Sequence, residues 1–176
     1  MAFENLSVDI TELPDVQQLD LQKPDPAFLR VSFIGLFIFL GIMLAGVVGI
    51  IFLGEFDSTP WLKLLLPGIW LFFTVLSSFL TYQGYKIQGY ALREKDVVFR
   101  RGVIFRSLVT VPFNRIQHCE IKEGPVERLF GLKTLQIFTA GGMSSDISIP
   151  GLKGENAPEL KDFIIKATGE STFEDE

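Results

Sequence analysis

Two long stretches in the first half of the chain contain no charged residue. Residues 31–53 form a predominantly apolar run of 23 uncharged residues, and residues 64–82 form a second run of 19. Because an α-helix rises about 1.5 Å per residue, the first run would reach about 34 Å, enough to cross the roughly 30 Å hydrocarbon layer of a bilayer. Few soluble cores hold an uncharged helix of that length, so the pattern predicts two transmembrane helices.

The connection between these helices, residues 54–63, is too short to hold a domain, so we expect an antiparallel hairpin. Its only basic residue is Lys63. The opposite helix ends carry many more, namely Lys23, Arg30, Lys86, Arg93, Lys95, Arg100 and Arg101. Positive charge marks the cytoplasmic side of a membrane protein. The sequence therefore predicts a multi-pass protein of the cytoplasmic membrane of a bacterium, with both termini in the cytoplasm and the connection outside.

The chain has an acidic tail at each end. Residues 1–30 contain six acidic and two basic residues, with prolines at positions 14, 24 and 26 that disfavour a continuous helix. A secretory signal peptide needs a basic start followed at once by an apolar stretch, which is missing here. We expect residues 1–30 to be a flexible or partly ordered tail, and residues 170–176 to be a second one. Whether either tail docks on the following domain is left open.

The last part of the chain, residues 83–169, alternates apolar and polar positions as strands do. The predicted strands are residues 85–92, 97–101, 103–111, 116–122, 134–139 and 146–149, with a tight hairpin at Gly102 and a helical turn at 126–130. The period then changes, because Leu160, Phe163, Ile164 and Ala167 form one helical stripe. The pattern predicts six or seven short strands in a small barrel or sandwich, closed at one end by a C-terminal helix.

Residues 110–142 resemble the bacterial membrane-flanked domain, also called the bacterial pleckstrin-homology (PH) domain. The motifs that carry the resemblance are Val111-Pro112, Arg115-Ile116-Gln117, Arg128 with Gly131-Leu132, Leu135 with Ile137, and Thr139-Ala140-Gly141. Two transmembrane helices ahead of the domain match the small members of that family, so the resemblance covers residues 31–168.

The resemblance implies a fold and a kind of partner. The expected fold class is a membrane protein with a helical transmembrane hairpin followed by a mainly-β PH-like domain, in which a C-terminal helix caps two nearly orthogonal antiparallel sheets. Small members of the family are thought to work beside larger relatives that carry several such domains. No enzymatic activity and no cofactor are implied.

The residues available for catalysis are few, since His118 and Cys119 are the only histidine and cysteine. Neighbours on a strand point to opposite faces. Cys119 shares its face with Ile121, which predicts a core position, and His118 shares the other face with polar neighbours, which predicts exposure. A phosphate-binding loop would need a Lys-Ser/Thr pair after its glycines, which Gly141-Gly142 lacks. We therefore predict no catalytic, metal or cofactor site.

A stripe of small residues marks one side of the first helix: Gly41, Ala45 and Gly49 recur every four positions. Such spacing lets another helix approach closely. The partner could be the second helix of the same hairpin or a helix of another chain, and both alternatives remain open.

The domain is basic, in contrast to the tails. Residues 86–153 contain 11 Lys and Arg against 6 Asp and Glu, a net charge of +5. Arg100, Arg101 and Arg106 cluster around the first hairpin, and each cation near an anionic leaflet contributes about 1 kcal/mol. These three are candidates for contact with lipid headgroups, although solvated strand faces and topology signals would explain them as well. Nucleic acid is not an expected partner, because no basic surface interleaved with aromatic residues is present.

Three functions are consistent with these features. The first is a non-enzymatic, membrane-anchored module that binds a membrane or envelope protein, such as a larger relative, or another copy of itself. The second is a peripheral reader of anionic lipid headgroups. The third is an accessory subunit of a membrane enzyme or transporter.

Overall fold

The computed structural model describes residues 20–53, 60–140 and 147–171. Two long helices, α1 and α2, are followed by six strands, a short helix α3 and a C-terminal helix α4. Their bounds are α1 Pro26–Leu53, α2 Leu62–Ile87, β1 Gly89–Leu92, β2 Asp96–Arg101, β3 Ser107–Pro112, β4 Ile116–Lys122, α3 Pro125–Leu129, β5 Leu132–Thr139, β6 Ile147–Lys153 and α4 Asn156–Ser171. A 3-10 turn, Phe113–Arg115, directly precedes β4.

Helix α1 begins five residues before the uncharged run. The Asp25 carboxylate accepts a hydrogen bond of 2.7 Å from the backbone N–H of Ala27, as an N-cap does. Pro26 occupies the first helical position, where the missing N–H would have no partner in any case. The helix does not extend back into residues 20–25, but the last five residues of the expected tail, 26–30, are helical because proline is favoured at a helix start.

Helix α2 continues past the uncharged run to Ile87. The predicted strand 85–92 is therefore wrong over its first four residues, and β1 begins only at Gly89. The helix ends where the N–H of Gln88 bonds to the carbonyl of Gly84 at 3.0 Å. The added turn carries the basic residue Lys86, and its positive charge near the helix C-terminus interacts favourably with the helix dipole.

The two helices pack as a hairpin in which few side chains are fully buried. The indole N–H of Trp70 donates to the carbonyl of Leu40 at 3.0 Å, and Leu40 is buried. Ala27 is the only other buried residue of α1, and α2 has none. Both helices are long and apolar enough to cross a membrane. Because so little of them is buried inside the protein, they are not core helices of a soluble domain.

The strands form two antiparallel sheets of three, in the orders β1-β2-β3 and β4-β5-β6. Strand β4 has the predicted bounds. The hairpin predicted at Gly102 differs from its prediction. Arg101 pairs with Ser107, so residues 102–106 form a five-residue loop instead of a tight turn at Gly102. Gly102 has φ +94°, and a Cβ there would collide with the carbonyl oxygen of Phe105. We call residues 102–106 the β2–β3 loop.

One hydrophobic core fills the space between the two sheets and α4. Its buried members are Tyr90, Val97, Phe99, Val111, Phe113, Ile116, Cys119, Leu135, Ile137, Ile147, Ile149, Leu152, Ala157, Leu160 and Ile164. Burial of Leu160 and Ile164 confirms the predicted helical stripe, although Phe163 on the same stripe is 48% exposed. Two antiparallel sheets with a C-terminal helix against them are the plan predicted for a PH-like domain.

The segment before α1 joins the domain to the helices. Gln22 and Tyr90 exchange two backbone hydrogen bonds of 2.7 and 2.9 Å, and the N–H of Asp25 donates to the carbonyl of Gly151 at 2.9 Å. The Tyr85 hydroxyl on α2 donates to the carbonyl of Pro24 at 3.3 Å. Residues 20–25, which we call the clamp, therefore touch the domain and both helices. The described end of the N-terminal tail is an ordered part of the fold.

Candidate functional site

The three clustered arginines occupy different environments. The Nε of Arg100 donates to the carbonyl of Ile87 at 3.1 Å, and the side chain is partly buried. A cation at this position satisfies an end carbonyl of α2 and complements its dipole. Arg101 and Arg106 are exposed, one at each end of the β2–β3 loop. The structure thus separates one arginine that links the sheet to α2 from two that face outward.

This division predicts different effects of substitution on stability. We expect Arg100→Ala to lower the free energy of unfolding by about 1–2 kcal/mol, because the Ile87 carbonyl loses a charged donor. Arg101→Ala should change it by less than about 0.5 kcal/mol. Thermal unfolding of the full chain in detergent, followed with a dye that becomes fluorescent on reaction with Cys119, measures both. Equal effects of the two substitutions would contradict the role given to Arg100.

An apolar depression lies beside β3, where the first sheet meets the end of β5. It has a volume of about 360 Å³ and is lined by Val109, Thr110, Val111, Pro112, Arg115 and Thr139. We call it the β3 groove. Four of these residues belong to β3, which is an edge strand of its sheet. The groove therefore adjoins a strand edge that can accept a further strand.

The register identifies the outward backbone groups of β3. The N–H of Phe113 donates to the carbonyl of Lys95, and hydrogen-bonded pairs alternate along an antiparallel ladder. The backbone groups of Val109 and Val111 therefore point toward β2, whereas those of Leu108 and Thr110 point away from the sheet. The sequence does not mark Thr110 as a binding residue, because alternation within a strand does not reveal which edge stays open.

The histidine and the cysteine lie as predicted. His118 is exposed and stacks flat on Phe138, with ring centroids 4.3 Å apart. Cys119 is buried. Burial raises the pKa of the Cys119 thiol, and the nearby Lys161 ammonium lowers it by a smaller amount. The thiol is therefore neutral at pH 7 and a weak nucleophile. Among residues 20–53, 60–140 and 147–171, no cluster of three or more His, Cys, Asp and Glu could hold a metal ion.

The small-residue stripe of α1 lies away from its neighbour helix. Gly41 and Ala45 are exposed, and a Cβ placed on Gly41 or Gly49 would meet no atom within 4 Å. Leu40, the residue before Gly41, packs against α2 instead. The exposure of Gly41 and Ala45 favours contact with another chain over packing within the hairpin, and that contact stays a prediction.

Comparison with known proteins gives one family match and two curated relatives. A family model described as "Bacterial PH domain" matches residues 29–168. The chain is 29% identical over 107 residues to the UPF0699 transmembrane protein YdbS of Bacillus subtilis (strain 168), covering 60% of this chain and 65% of that protein. It is 29% identical over 133 residues to the UPF0699 transmembrane protein YdbT of the same organism, covering 76% of this chain and 22% of that protein.

The chain thus spans less than two thirds of the length of each of these relatives. No solved structure matches it at a significant level. Both relatives are named transmembrane proteins, in agreement with the two long apolar helices of the structure. The chain is a membrane protein with a PH-like domain after its helices.

Proposed function

Because the chain belongs to the bacterial PH domain family, we propose that it is a non-enzymatic interaction module fixed to the cytoplasmic membrane. Its helices cross the bilayer as a hairpin, and its domain and both termini lie in the cytoplasm. The Lys and Arg residues that flank the helix ends opposite residues 54–63 support this orientation. The module binds an extended segment of another membrane protein of the same family or of a second copy.

The observation that carries this proposal is the open edge of β3 beside an apolar groove. A bound segment can add a fourth strand through the outward N–H and C=O groups of Leu108 and Thr110, while its side chains enter the groove. Pro112 has no N–H, so the ladder ends there. The clamp supports the proposal further, because it holds this edge in one orientation relative to the helices.

A proline at position 110 tests strand addition directly. The N–H of Thr110 points away from β2, so Thr110→Pro removes a donor to the partner and no bond within the sheet. We expect it to reduce partner binding at least tenfold, because it also blocks close approach of a fourth strand. Thr110→Ala, which keeps the N–H, should bind normally. The probes are a differently tagged copy of the full chain and a longer relative from the same organism, each co-expressed and scored by photo-crosslinking from position 108.

Two results would contradict the proposal. The first is equal crosslinking of the Thr110→Pro and Thr110→Ala variants. The second is failure of position 108 to crosslink either probe above the level seen from Glu94, an exposed residue of the β1–β2 turn. Val109→Pro serves as the folding control, because the N–H of Val109 bonds to β2 and its loss should destabilise the first sheet.

A further inference from the structure

Three large apolar side chains of the domain stand almost fully in solvent. Ile104 is 73% exposed, Phe105 is 89% exposed and Leu129 is 81% exposed. Among the described residues outside α1 and α2, these are the most exposed large hydrophobic side chains. Ile104 and Phe105 form the tip of the β2–β3 loop, and Leu129 ends α3. Neither position contributes to the core, so folding of the domain does not account for their apolar character.

The β2–β3 loop lies against the C-terminal end of α2, just beyond the uncharged run. Strand β2 pairs with β1 so that Arg100 is opposite Gly89, two residues after the end of α2. The loop then extends back along α2, because Val103 Cγ2 lies 3.6 Å from the position of a Cβ on Gly84. Gly84 is two residues beyond Tyr82, the last residue of the uncharged run. The loop tip is therefore level with the boundary between hydrocarbon and headgroups.

Leu129 lies beside the other helix at a comparable depth. The residue after it, Phe130, carries the guanidinium of Arg30 over its ring, 5.3 Å from the centroid. Arg30 directly precedes the uncharged run of α1. The two exposed apolar tips thus flank the hairpin, one next to α2 and one next to α1, and both lie where the helices leave the membrane.

Basic side chains border both tips. Arg101 and Arg106 are exposed at the two ends of the β2–β3 loop. The side chain of Arg128, next to Leu129, is 77% exposed and its Nε lies 3.8 Å from a carboxylate oxygen of Glu123. Residues 101–106 contain no acidic residue. Apolar tips bordered by cations are the arrangement that an anionic leaflet binds, since the tips enter the acyl boundary and the cations remain among the phosphates.

We propose that the PH-like domain rests on the same bilayer that holds its helices, with Ile104, Phe105 and Leu129 inserted into the interfacial layer. The occupant of this surface is lipid, because the surface is continuous with the transmembrane helices. This contact goes beyond the proposed strand addition and does not depend on it, since β3 runs away from the membrane end of the loop.

Depth-dependent quenching of a fluorophore tests the insertion in the full chain. The chain is placed, one copy per nanodisc, in equal parts phosphatidylcholine and phosphatidylglycerol, with Cys119 changed to serine. An environment-sensitive label is attached at Phe105→Cys or Leu129→Cys. The control is Lys95→Cys in the β1–β2 turn, which the four residues of β1 carry roughly 13 Å from the helix end. A lipid spin label near the top of the acyl chain acts as quencher.

We expect the labels at positions 105 and 129 to be quenched at least threefold more strongly than the label at 95, and to emit at shorter wavelength. The double substitution Arg101→Glu and Arg106→Glu should weaken quenching at 105, whereas Lys122→Glu, a charge change of the same sign on β4, should not. Quenching at either 105 or 129 that does not exceed quenching at 95 would overturn the proposal. Because each disc holds one copy, self-association cannot mimic the expected result.

Discussion

Replacing Phe113 with alanine is expected to lower the free energy of unfolding of the domain by about 3–5 kcal/mol. Phe113 is 2% exposed and belongs to the core between the sheets and α4. Its ring also meets Phe163 of α4 edge to face, with centroids 6.1 Å apart. Truncation leaves a cavity and removes this aromatic contact, so α4 loses part of its packing against the core. Because small domains are stable by about 5–15 kcal/mol, the loss is a large fraction of the total.

The matched control is Phe163→Ala, the other half of the aromatic pair. Phe163 is about half exposed, so its truncation should cost only about 1–2 kcal/mol. Thermal unfolding of the full chain in detergent, read by the reaction of buried Cys119 with a fluorogenic dye, compares the two variants. We expect Phe113→Ala to lower the midpoint by more than about 10 °C. A smaller shift for Phe113→Ala than for Phe163→Ala would refute this assignment of the core.

Replacing Gly151 with alanine is expected to cost about 2–5 kcal/mol and to release the clamp. Gly151 has φ +69°, a conformation that costs other residues about 1–2 kcal/mol. A Cβ there would lie 2.7 Å from the Cβ of Phe28 and 2.9 Å from that of Pro24. Relief of this overlap, worth about 1–3 kcal/mol, requires α1 and the clamp to move away from β6.

Gly131→Ala separates the two contributions. Gly131 has φ +63°, yet a Cβ there meets no atom within 4 Å. It should therefore show the backbone cost of about 1–2 kcal/mol and no displacement of the clamp. Hydrogen exchange of residues 20–28 reports the clamp, and only Gly151→Ala should accelerate it. Identical behaviour of the two glycine variants would exclude the steric explanation.

Elements whose signal is local could be predicted closely. The uncharged runs predict both membrane helices, because hydropathy depends only on residues within each run. Strand β4 has the predicted bounds, since apolar and polar residues alternate from His118 to Lys122, and only the register shift between Ile116 and His118 interrupts the pattern. Burial of Cys119 and exposure of His118 follow from the same alternation.

Elements stabilised by distant contacts could not be predicted. The last turn of α2 reads as the start of a strand, yet it is helical, and a partner of its end carbonyl, Arg100, lies 13 residues further along the chain. The β2–β3 loop likewise requires a residue without a side chain at position 102, because a Cβ there would collide with the Phe105 carbonyl oxygen. It also requires Val103 to lie against α2. Neither contact has a signature in the residues on either side of it.

The sequence alone thus determined a transmembrane hairpin, a PH-like domain after it and a basic segment at residues 100–106. Hydropathy, alternation and charge are properties of neighbouring residues. Only the tertiary structure decided which of these features are available for binding. It committed Arg100 to the end of α2, left β3 as an open edge, and brought Phe105 and Leu129 to the membrane end of the domain. These outcomes depend on strand order and on the clamp, which join residues that are far apart in the chain.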